Sequence, residues 1–333
     1  MILSYNVIDQ HGNISSGDNT HILLPPASNM KILSTYFSYL NLGSEFKFRT
    51  KFEISKQSMK ISGDPLFMFS EKNFKSILSN VEAPLANIHF KNDYLTRERY
   101  HPDWSFGDID YCYGAQVTPF AINENCEPEA HVSVKSKPVS QIENYMKILK
   151  SEGNKSENIK NEEIKYYDIR LNSIIRHILQ LSCNFSAELL MRFTASKINK
   201  KKVNWIDSAS MVKKLFLSNG IMDKNSIVRD GSGLSRLNMI NTLVLSKIGF
   251  FIFAQNSEFY DFFPSPGEGT LKNRLQDLKD YDIKAKTGTI SYISSLTGIS
   301  RTRNLFFSII VYGIEDTQER EMIIDNMLER ILK

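Results

Sequence analysis

The chain has 333 residues, of which 41% are hydrophobic, and its formal net charge is +4 at pH 7. This length and composition favour a folded globular protein with a sizeable core, arranged as one large domain or two ordinary ones. The charge is small and the lysines and arginines are spread along the chain, which argues against a nucleic-acid-binding surface.

The amino-terminal segment predicts two strands followed by a helix. Apolar and β-branched side chains favour strands at residues 2–9 and 14–18, with a turn between them. A pair of prolines ends regular structure, and a helical pattern of apolar residues begins at Ser28. Lys31 should follow one turn later on the same face. A helix start offers unpaired N–H groups and a positive dipole end, which suits a serine whose substrate develops negative charge.

The middle of the chain has a different character. Residues 46–135 are rich in short strand-like runs and turns, whereas residues 150–163 are crowded with Ser, Glu, Asn and Lys and are interpreted as a solvated loop or linker. Helical patterns follow at about residues 168–181 and 186–197. The Ser-Cys-Asn string at residues 182–184 is therefore expected on a connection between two helices.

The carboxyl-terminal part predicts three strands and a last helix. Strand-like runs cover residues 283–290, 294–300 and 305–312, and an amphipathic helix covers residues 315–332. With the two amino-terminal strands, they predict one antiparallel sheet built from both chain ends, against which the helical middle packs. Gly288 lies on the first of these strands, where it would let a substrate backbone approach closely.

Three short strings occur in a fixed order along the chain. They are Ser-x-x-Lys at Ser28 and Lys31, Ser-x-Asn at Ser182 and Asn184, and Lys-Thr-Gly starting at Lys286. Each serine taken alone is most often a helix cap, and the lysine an ordinary strand-edge residue. The ordered trio is typical of penicillin-binding proteins and serine β-lactamases, because it supplies a nucleophile, proton carriers and a carboxylate anchor. The sequence therefore predicts an acyl-serine enzyme.

The residues around the trio make this prediction more specific. The relevant strings are Pro26-Ala27-Ser28-Asn29-Met30-Lys31, Tyr113-Gly114-Ala115, Asn123-Glu124-Asn125, Asp230-Gly231-Ser232-Gly233-Leu234-Ser235-Arg236, Gly269-Thr270-Leu271 and Lys286-Thr287-Gly288-Thr289. In these contexts the chain resembles the class C low-molecular-mass penicillin-binding proteins, the D-alanyl-D-alanine carboxypeptidases/endopeptidases, from about residue 2 to its end. The resemblance implies an α/β fold of the α+β type, with a β-lactamase/transpeptidase-like domain whose central antiparallel sheet is flanked by helices.

The spacing of the motifs differs from that family in one respect. The family inserts two small domains between the first two motifs, whereas the residue numbers of Ser28 and Ser182 differ by only 154. We therefore assign residues 1–45 and 136–333 to the catalytic domain and residues 46–135 to a strand-rich inserted domain. The second inserted domain of the family is expected to be absent or reduced to a stub.

The resemblance implies roles for the residues that would carry out acyl transfer. Ser28 would attack the carbonyl between two D-alanines and form an acyl-enzyme, which water then hydrolyses. Lys31 would take the serine proton, provided that burial or a second cation such as Lys286 lowers its pKa. Ser182 would relay a proton to the leaving amine, and Asn184 would hold Lys31 and the substrate amide.

The third motif would bind the substrate. By the same resemblance, Lys286, Thr287 and Thr289 would hold the terminal carboxylate by charge and hydroxyl hydrogen bonds, and Gly288 would lie against the substrate. The backbone N–H groups of Ser28 and Thr289 would form an oxyanion hole.

The predicted function is a serine-type D-alanyl-D-alanine carboxypeptidase, with DD-endopeptidase action as a related activity, acylated by β-lactams. Its partners would be a D-Ala-D-Ala-terminated peptide or a peptidoglycan fragment. The alternatives are a β-lactamase, an esterase or a D-amino-acid peptidase on the same scaffold, and a non-catalytic penicillin-binding-like sensor. Fast β-lactam hydrolysis needs an acid that activates water, and nothing in the sequence marks Glu188 or Glu268 for that task.

Cofactors and location are predicted from what the sequence lacks. The three cysteines form no Cys-x-x-Cys pair, and their odd number argues against a disulfide framework. The six histidines show no ligand spacing, so neither a metal nor another cofactor is expected. No apolar run approaches the roughly 18 residues of a membrane helix. No signal peptide is visible, so either the protein stays in the cytoplasm or a leader has been removed; the resembling family is typically extracytoplasmic.

Overall fold

A computed structural model describes residues 1–55, 58–79, 85, 87–127, 138–151 and 163–333. The strands are β1 (Ile2–Ile8), β2 (Ile14–Asp18), β3 (Lys47–Ser55), β4 (Ser58–Gly63), β5 (Asn87–Phe90), β6 (Glu163–Arg170), β7 (Ile283–Ile290), β8 (Ile293–Ser300) and β9 (Leu305–Tyr312). The helices are α1 (Met30–Leu42), α2 (Glu71–Leu78), α3 (Phe106–Ile109), α4 (Gln141–Ser151), α5 (Leu171–Leu181), α6 (Asn184–Asn199), α7 (Trp205–Ser218), α8 (Thr242–Gln255) and α9 (Thr317–Leu332).

Both chain ends form one antiparallel sheet, as predicted. Its strand order is β2-β1-β9-β8-β7, so β9 lies at the centre and β7 at an edge. Successive side chains of a strand point to opposite faces. On β9, Phe306 and Ile310 accordingly pack in the core on the α8 side, whereas Phe307 and Ile309 pack with Ile324 of α9. Helices on both faces explain why β9 is apolar along almost its whole length.

A helical layer covers the α8 side of the sheet and contains the largest core. Helix α1 packs against α5 and α6, and buried side chains such as Tyr36, Ile175 and Leu190 join them. The predicted mixed architecture, an antiparallel sheet flanked by helices, is confirmed. Among the described residues, no helix combines the length and the apolar character that crossing a bilayer requires.

Helix α5 begins three residues later than its pattern predicts. Residues 168–170 are the end of β6, where Asp168 lies opposite Arg49 of β3 and accepts two hydrogen bonds from its guanidinium, at 2.8 and 2.9 Å. Pairing with a strand more than a hundred residues away in the chain overrides the local helical pattern. Helix α6 begins at Asn184, two residues earlier than predicted.

A second sheet, of order β5-β4-β3-β6, has its own core. Phe52, Phe69 and Tyr145 are among its buried side chains. This sheet includes β6, which follows residue 135 in the chain, and the division of the chain into domains stays a prediction. Residues 152–162 of the predicted linker lie outside the described residues.

Cys112 and Cys126 form a disulfide, with their Cα atoms 5.7 Å apart. The expectation drawn from the odd cysteine number is therefore wrong for this pair. Two short 3-10 turns, at Cys112–Gly114 and Asn123–Asn125, bring the two cysteines together. An odd count leaves one cysteine over, here the buried thiol of Cys183, and does not exclude a single bridge.

Candidate active site

Ser28 lies in a 3-10 turn directly before α1, and two glycines allow this turn to contact its neighbours closely. A Cβ atom on Gly288 would lie 2.3 Å from Ser295 Oγ and 2.9 Å from Ser28 N. A Cβ atom on Gly233, whose φ is +84°, would lie 1.8 Å from the carbonyl oxygen of Ala27. Any larger residue at either position would displace the serine turn, because these neighbours include backbone atoms.

Lys31 lies one helical turn after Ser28 and is completely buried. Its Nζ is within hydrogen-bond distance of Ser28 Oγ at 2.8 Å, Asn184 Oδ1 at 2.6 Å and the carbonyl oxygen of Ser232 at 2.7 Å. Burial lowers the pKa of Lys31 to about 8, although neighbouring acidic groups, Asp230 among them, oppose the shift. About a tenth of Lys31 is then neutral at pH 7 and able to accept the serine proton.

Lys286 on β7 is the second buried lysine. Its Nζ donates to Ser182 Oγ at 3.0 Å and to the carbonyl oxygen of Thr287 at 2.8 Å. Burial, and then the charge of Lys31, hold the pKa of Lys286 well below its usual range. Ser182 ends α5 with a left-handed backbone, φ 59°, which turns the chain before α6 begins. The second and third motifs therefore meet through their side chains.

The remaining residues of the third motif line the end of β7. Thr287 is buried, and its hydroxyl donates to Thr270 Oγ1 at 2.8 Å. Thr289 is exposed and lies opposite Ser294 of β8. All eight predicted site residues thus lie on three segments whose side chains contact one another, with Thr289 at the solvent side.

Glu188 holds the loop whose carbonyl oxygen contacts Lys31. The sequence did not predict this role. Its buried carboxylate accepts hydrogen bonds from the backbone N–H groups of Gly231 at 3.0 Å and Ser232 at 2.7 Å, and from Trp205 Nε1 at 2.8 Å. Burial, together with the charge of Asp230, raises the pKa of Glu188 to about 7. These bonds aim the Ser232 carbonyl oxygen at Lys31.

Asp230 holds the same loop from its other end. Its carboxylate accepts hydrogen bonds from Gly233 N at 2.8 Å, Ser235 N at 2.6 Å and Trp104 Nε1 at 3.0 Å. The Asp-Gly-Ser-Gly string singled out in the sequence therefore forms a buried, hydrogen-bonded loop beside the serine turn. Its glycines and its acid were visible in the sequence, but the partner Glu188 was not.

A buried polar cluster forms a hydrogen bond with the Ser-Cys-Asn connection at Cys183. Glu124 accepts hydrogen bonds from Cys183 Sγ at 3.1 Å and Ser186 Oγ at 2.8 Å, and its Oε1 lies 2.8 Å from His177 Nε2. Burial opposes ionisation of both partners, yet the bond between them lowers the pKa of Glu124 and raises that of His177.

The disulfide region also contacts the second motif directly. Asn184 Nδ2 donates to the carbonyl oxygen of Tyr113 at 2.9 Å, and Tyr113 follows the bridged Cys112. Asn184 thus receives its orientation from Tyr113 on one side and offers its Oδ1 to Lys31 on the other. The disulfide and the base lysine are joined through this one side chain.

No carboxylate in the described part of the chain forms a hydrogen bond to Ser28. Glu188 faces loop backbone, as given above, and Glu268 is exposed and accepts from Ser265 N at 3.1 Å. Neither carboxylate is hydrogen-bonded to Ser28. This arrangement favours slow release of an acyl group over rapid β-lactam turnover.

Comparison with known proteins gives a family match over almost the whole chain. The model of the D-Ala-D-Ala carboxypeptidase 3 (S13) family matches residues 8–165 and 168–331. A curated relative, D-alanyl-D-alanine carboxypeptidase DacB of Haemophilus influenzae, is 27% identical over 140 residues. That alignment covers 40% of this chain and 29% of the relative, so the matched segment spans less than a third of the relative's length.

Two solved structures share the fold. Penicillin binding protein 4 (dacB) from Haemophilus influenzae superimposes with a TM-score of 0.81 at 17% identity, over 100% of this chain and 96% of that chain. A penicillin G acylated predatory endopeptidase from Bdellovibrio bacteriovorus, in complex with an immunity protein, gives a TM-score of 0.62 at 14% identity, over 99% and 92% of the two chains. At these identities the likeness establishes the fold.

Proposed function

The chain belongs to the D-Ala-D-Ala carboxypeptidase 3 (S13) family, and from this premise we propose that it is a serine-type D-alanyl-D-alanine carboxypeptidase acting through an acyl-enzyme on Ser28. One observation carries the proposal: Ser28 Oγ lies 2.8 Å from the amine of a completely buried lysine, Lys31, whose pKa is lowered to about 8. A serine hydroxyl is a weak nucleophile until a base within hydrogen-bond reach takes its proton. Lys31 lies within hydrogen-bond reach of Ser28, and its lowered pKa allows it to act as the base.

In the acylation step, Ser28 Oγ attacks the carbonyl carbon of the penultimate D-alanine and its proton passes to Lys31. The C–O bond forms, the peptide C–N bond breaks, and terminal D-alanine leaves. Ser182 gives its hydroxyl proton to the leaving amine and takes one from Lys286, which donates to it at 3.0 Å. Water then hydrolyses the ester and releases the shortened peptide, and proton exchange restores both lysines.

Lys286 anchors the substrate carboxylate in this proposal, together with Thr287 and Thr289. An opposite charge beside a buried amine favours its protonated form. A bound carboxylate therefore raises the pKa of Lys286, and the resulting cation lowers that of Lys31, because the two lysines interact electrostatically. Substrate binding in this way favours the neutral form of Lys31 that acts as the base.

The backbone N–H groups of Ser28 and Thr289 are the proposed oxyanion hole. The close approach of β7 to the serine turn at Gly288 supports this assignment. Donors of this kind stabilise the developing oxyanion, and removal of one typically costs about 10²–10³-fold in kcat.

β-Lactams are the proposed inhibitors, and DD-endopeptidase action is a proposed second activity. The penicillin G acylated neighbour is itself an endopeptidase of the same fold. With no described carboxylate bonded to Ser28, we expect the penicilloyl ester to persist. A β-lactamase would instead hydrolyse this ester rapidly.

Intact-mass measurement after incubation with penicillin tests the proposal. We expect one persistent penicilloyl adduct on the wild-type chain and on Ser16→Ala, an exposed serine of β2, and none on Ser28→Ala. The wild type should also release D-alanine from a D-Ala-D-Ala peptide. Rapid loss of the adduct with product release would indicate a β-lactamase. An adduct on Ser28→Ala, or neither adduct nor D-alanine from the wild type, would overturn the proposal.

A further inference from the structure

Next to the Ser-Cys-Asn connection, three potential metal ligands from two segments of the chain come together. A carboxylate oxygen of Glu124, a ring nitrogen of His177 and the Sγ of Cys183 all lie within 4.8 Å of one another. We propose that this cluster, the Glu-His-Cys cluster, binds a zinc ion. The inference goes beyond the proposed peptidase activity, because it concerns a second site whose occupancy is measured directly.

The donor set suits zinc. Thiolate sulfur, imidazole nitrogen and carboxylate oxygen are its usual protein ligands, at about 2.0–2.3 Å in a tetrahedron, which places the donor atoms about 3.3–3.7 Å apart. The two donor pairs measured, His177 Nε2 to Glu124 Oε1 and Cys183 Sγ to Glu124 Oε2, are 2.8 and 3.1 Å apart. These two distances end on different oxygens of the carboxylate, and an outward shift of about half an ångström would bring both pairs to the spacing of zinc ligands. The third pair, His177 and Cys183, has its ligand atoms within 4.8 Å of each other.

The charge balance also permits a buried ion. Zn²⁺ bound by a carboxylate, a neutral imidazole and a thiolate has a total charge of zero. Such a complex leaves no net charge in the interior.

The scaffold holds the three ligands on rigid elements. Glu124 lies two residues before the disulfide-bonded Cys126, His177 lies within α5, and Cys183 caps α6. Three protein ligands leave the fourth position of the tetrahedron for a water. Ligands held in place before binding give a metal site with little ordering cost.

The site would act on the catalytic residues through one peptide segment. Cys183 stands between Ser182, which contacts Lys286, and Asn184, which contacts Lys31. Zinc bound to Cys183 would fix this segment by a metal–sulfur bond in place of a hydrogen bond. We expect the rate of penicillin acylation to differ between zinc-loaded and stripped protein.

The test uses the full chain after treatment with a chelator, with Zn²⁺ measured by calorimetry and metal content, and Co²⁺ as a spectroscopic probe. We expect one zinc per wild-type chain and a thiolate-to-cobalt charge-transfer band. His177→Gln and Cys183→Ser should bind zinc at least about tenfold more weakly, and Cys183→Ser should lack the band. His21→Gln, an exposed histidine on another part of the chain, should match the wild type.

Thermal unfolding tests zinc binding without relying on catalytic activity. The change in Tm on adding zinc is taken within each protein, so a variant with a lower starting Tm can still be compared. Zinc should raise the Tm of the wild type and of His21→Gln by a larger amount than that of His177→Gln or Cys183→Ser. Zinc binding that is equal in all four proteins, or no stoichiometric binding by the wild type, would show a hydrogen-bonded cluster only and overturn the proposal. Acylation of Ser28 on the same samples tests the peptidase separately.

Discussion

The surroundings of the two buried lysines differ in the charge that each side chain meets. Lys31 contacts three oxygen atoms and lies near the carboxylates of Asp230 and Glu188, whereas Lys286 contacts a hydroxyl and a carbonyl and has Lys31 as its charged neighbour. Burial lowers both pKa values, but only Lys31 has nearby negative charge to limit the shift. In the proposed mechanism, one residue type thus provides a base near neutral pH and a carboxylate anchor that becomes charged when substrate binds.

Of the substitutions that test this comparison, removing Lys31 should have the largest effect on the acylation rate. Lys31→Met is expected to slow penicillin acylation by about 10²–10⁴-fold, because the serine loses its base. In the wild type, acylation should rise with pH around a midpoint of about 8, where half of Lys31 is neutral, and level off above it. Stopped-flow acylation rates across this range measure both effects. A wild-type rate that is flat with pH, or the same rise in Lys31→Met, would contradict the assignment.

Replacing Lys286 tests the other side of the comparison. Lys286→Met should lower kcat/KM for a D-Ala-D-Ala peptide by about 10–100-fold, because a charge-assisted bond to the terminal carboxylate is lost. The matched control is the same peptide with its carboxyl group amidated, for which the variant should lose less. An equal loss with both peptides would exclude the anchoring role of Lys286 and leave only its proton transfer to Ser182.

The close contact of β7 with the serine turn offers a third test. In Gly288→Ala, the added Cβ would meet Ser295 Oγ and Ser28 N, so we expect about 1–3 kcal/mol of destabilisation and a slower acylation. Gly107→Ala is the control, because a Cβ there meets nothing within 4 Å. Denaturant unfolding and acylation are measured on both. A Gly288→Ala protein as stable and as fast as Gly107→Ala would refute the contact.

The smallest expected effect is a shift of the pH profile. A carboxylate near Lys31 stabilises its charged form, so removing that charge in Glu188→Gln should lower the pKa of Lys31. The midpoint of the acylation profile should move to a pH below about 8, with little change in the plateau rate. Since the buried carboxylate also holds loop backbone, Tm is measured alongside. An unchanged or higher midpoint in a folded variant would exclude the electrostatic role.

The sequence predicted those parts of the site that depend on local spacing. Ser28 and Lys31 are one helical turn apart, so their contact follows from the helix alone, and the Lys-Thr-Gly strand was recognisable from its alternation. The single sheet from both chain ends was also predicted correctly, from the two amino-terminal and the three carboxyl-terminal strand-like runs.

The remaining features depend on contacts between distant segments. Glu124 lies more than fifty residues before His177 and Cys183, and the three show no recognised ligand spacing. The cysteine pair is brought together by two irregular turns. The role of Glu188 depends on a loop more than forty residues later. The predicted ends of helices were wrong where strand pairing decided the secondary structure, as at Asp168, which belongs to β6. Such features require the folded structure.

Release of D-alanine is the measurement that tests the central claim most directly. Purified wild-type protein and Ser28→Ala are incubated with a peptide ending in D-Ala-D-Ala and with the same peptide ending in D-Ala-L-Ala. We predict D-alanine release by the wild type from the first peptide, little release of L-alanine from the second, and a loss of about 10⁴-fold or more of the D-alanine release in Ser28→Ala. Equal release of D-alanine by wild type and Ser28→Ala, or none by the wild type, would contradict an acyl-enzyme carboxypeptidase.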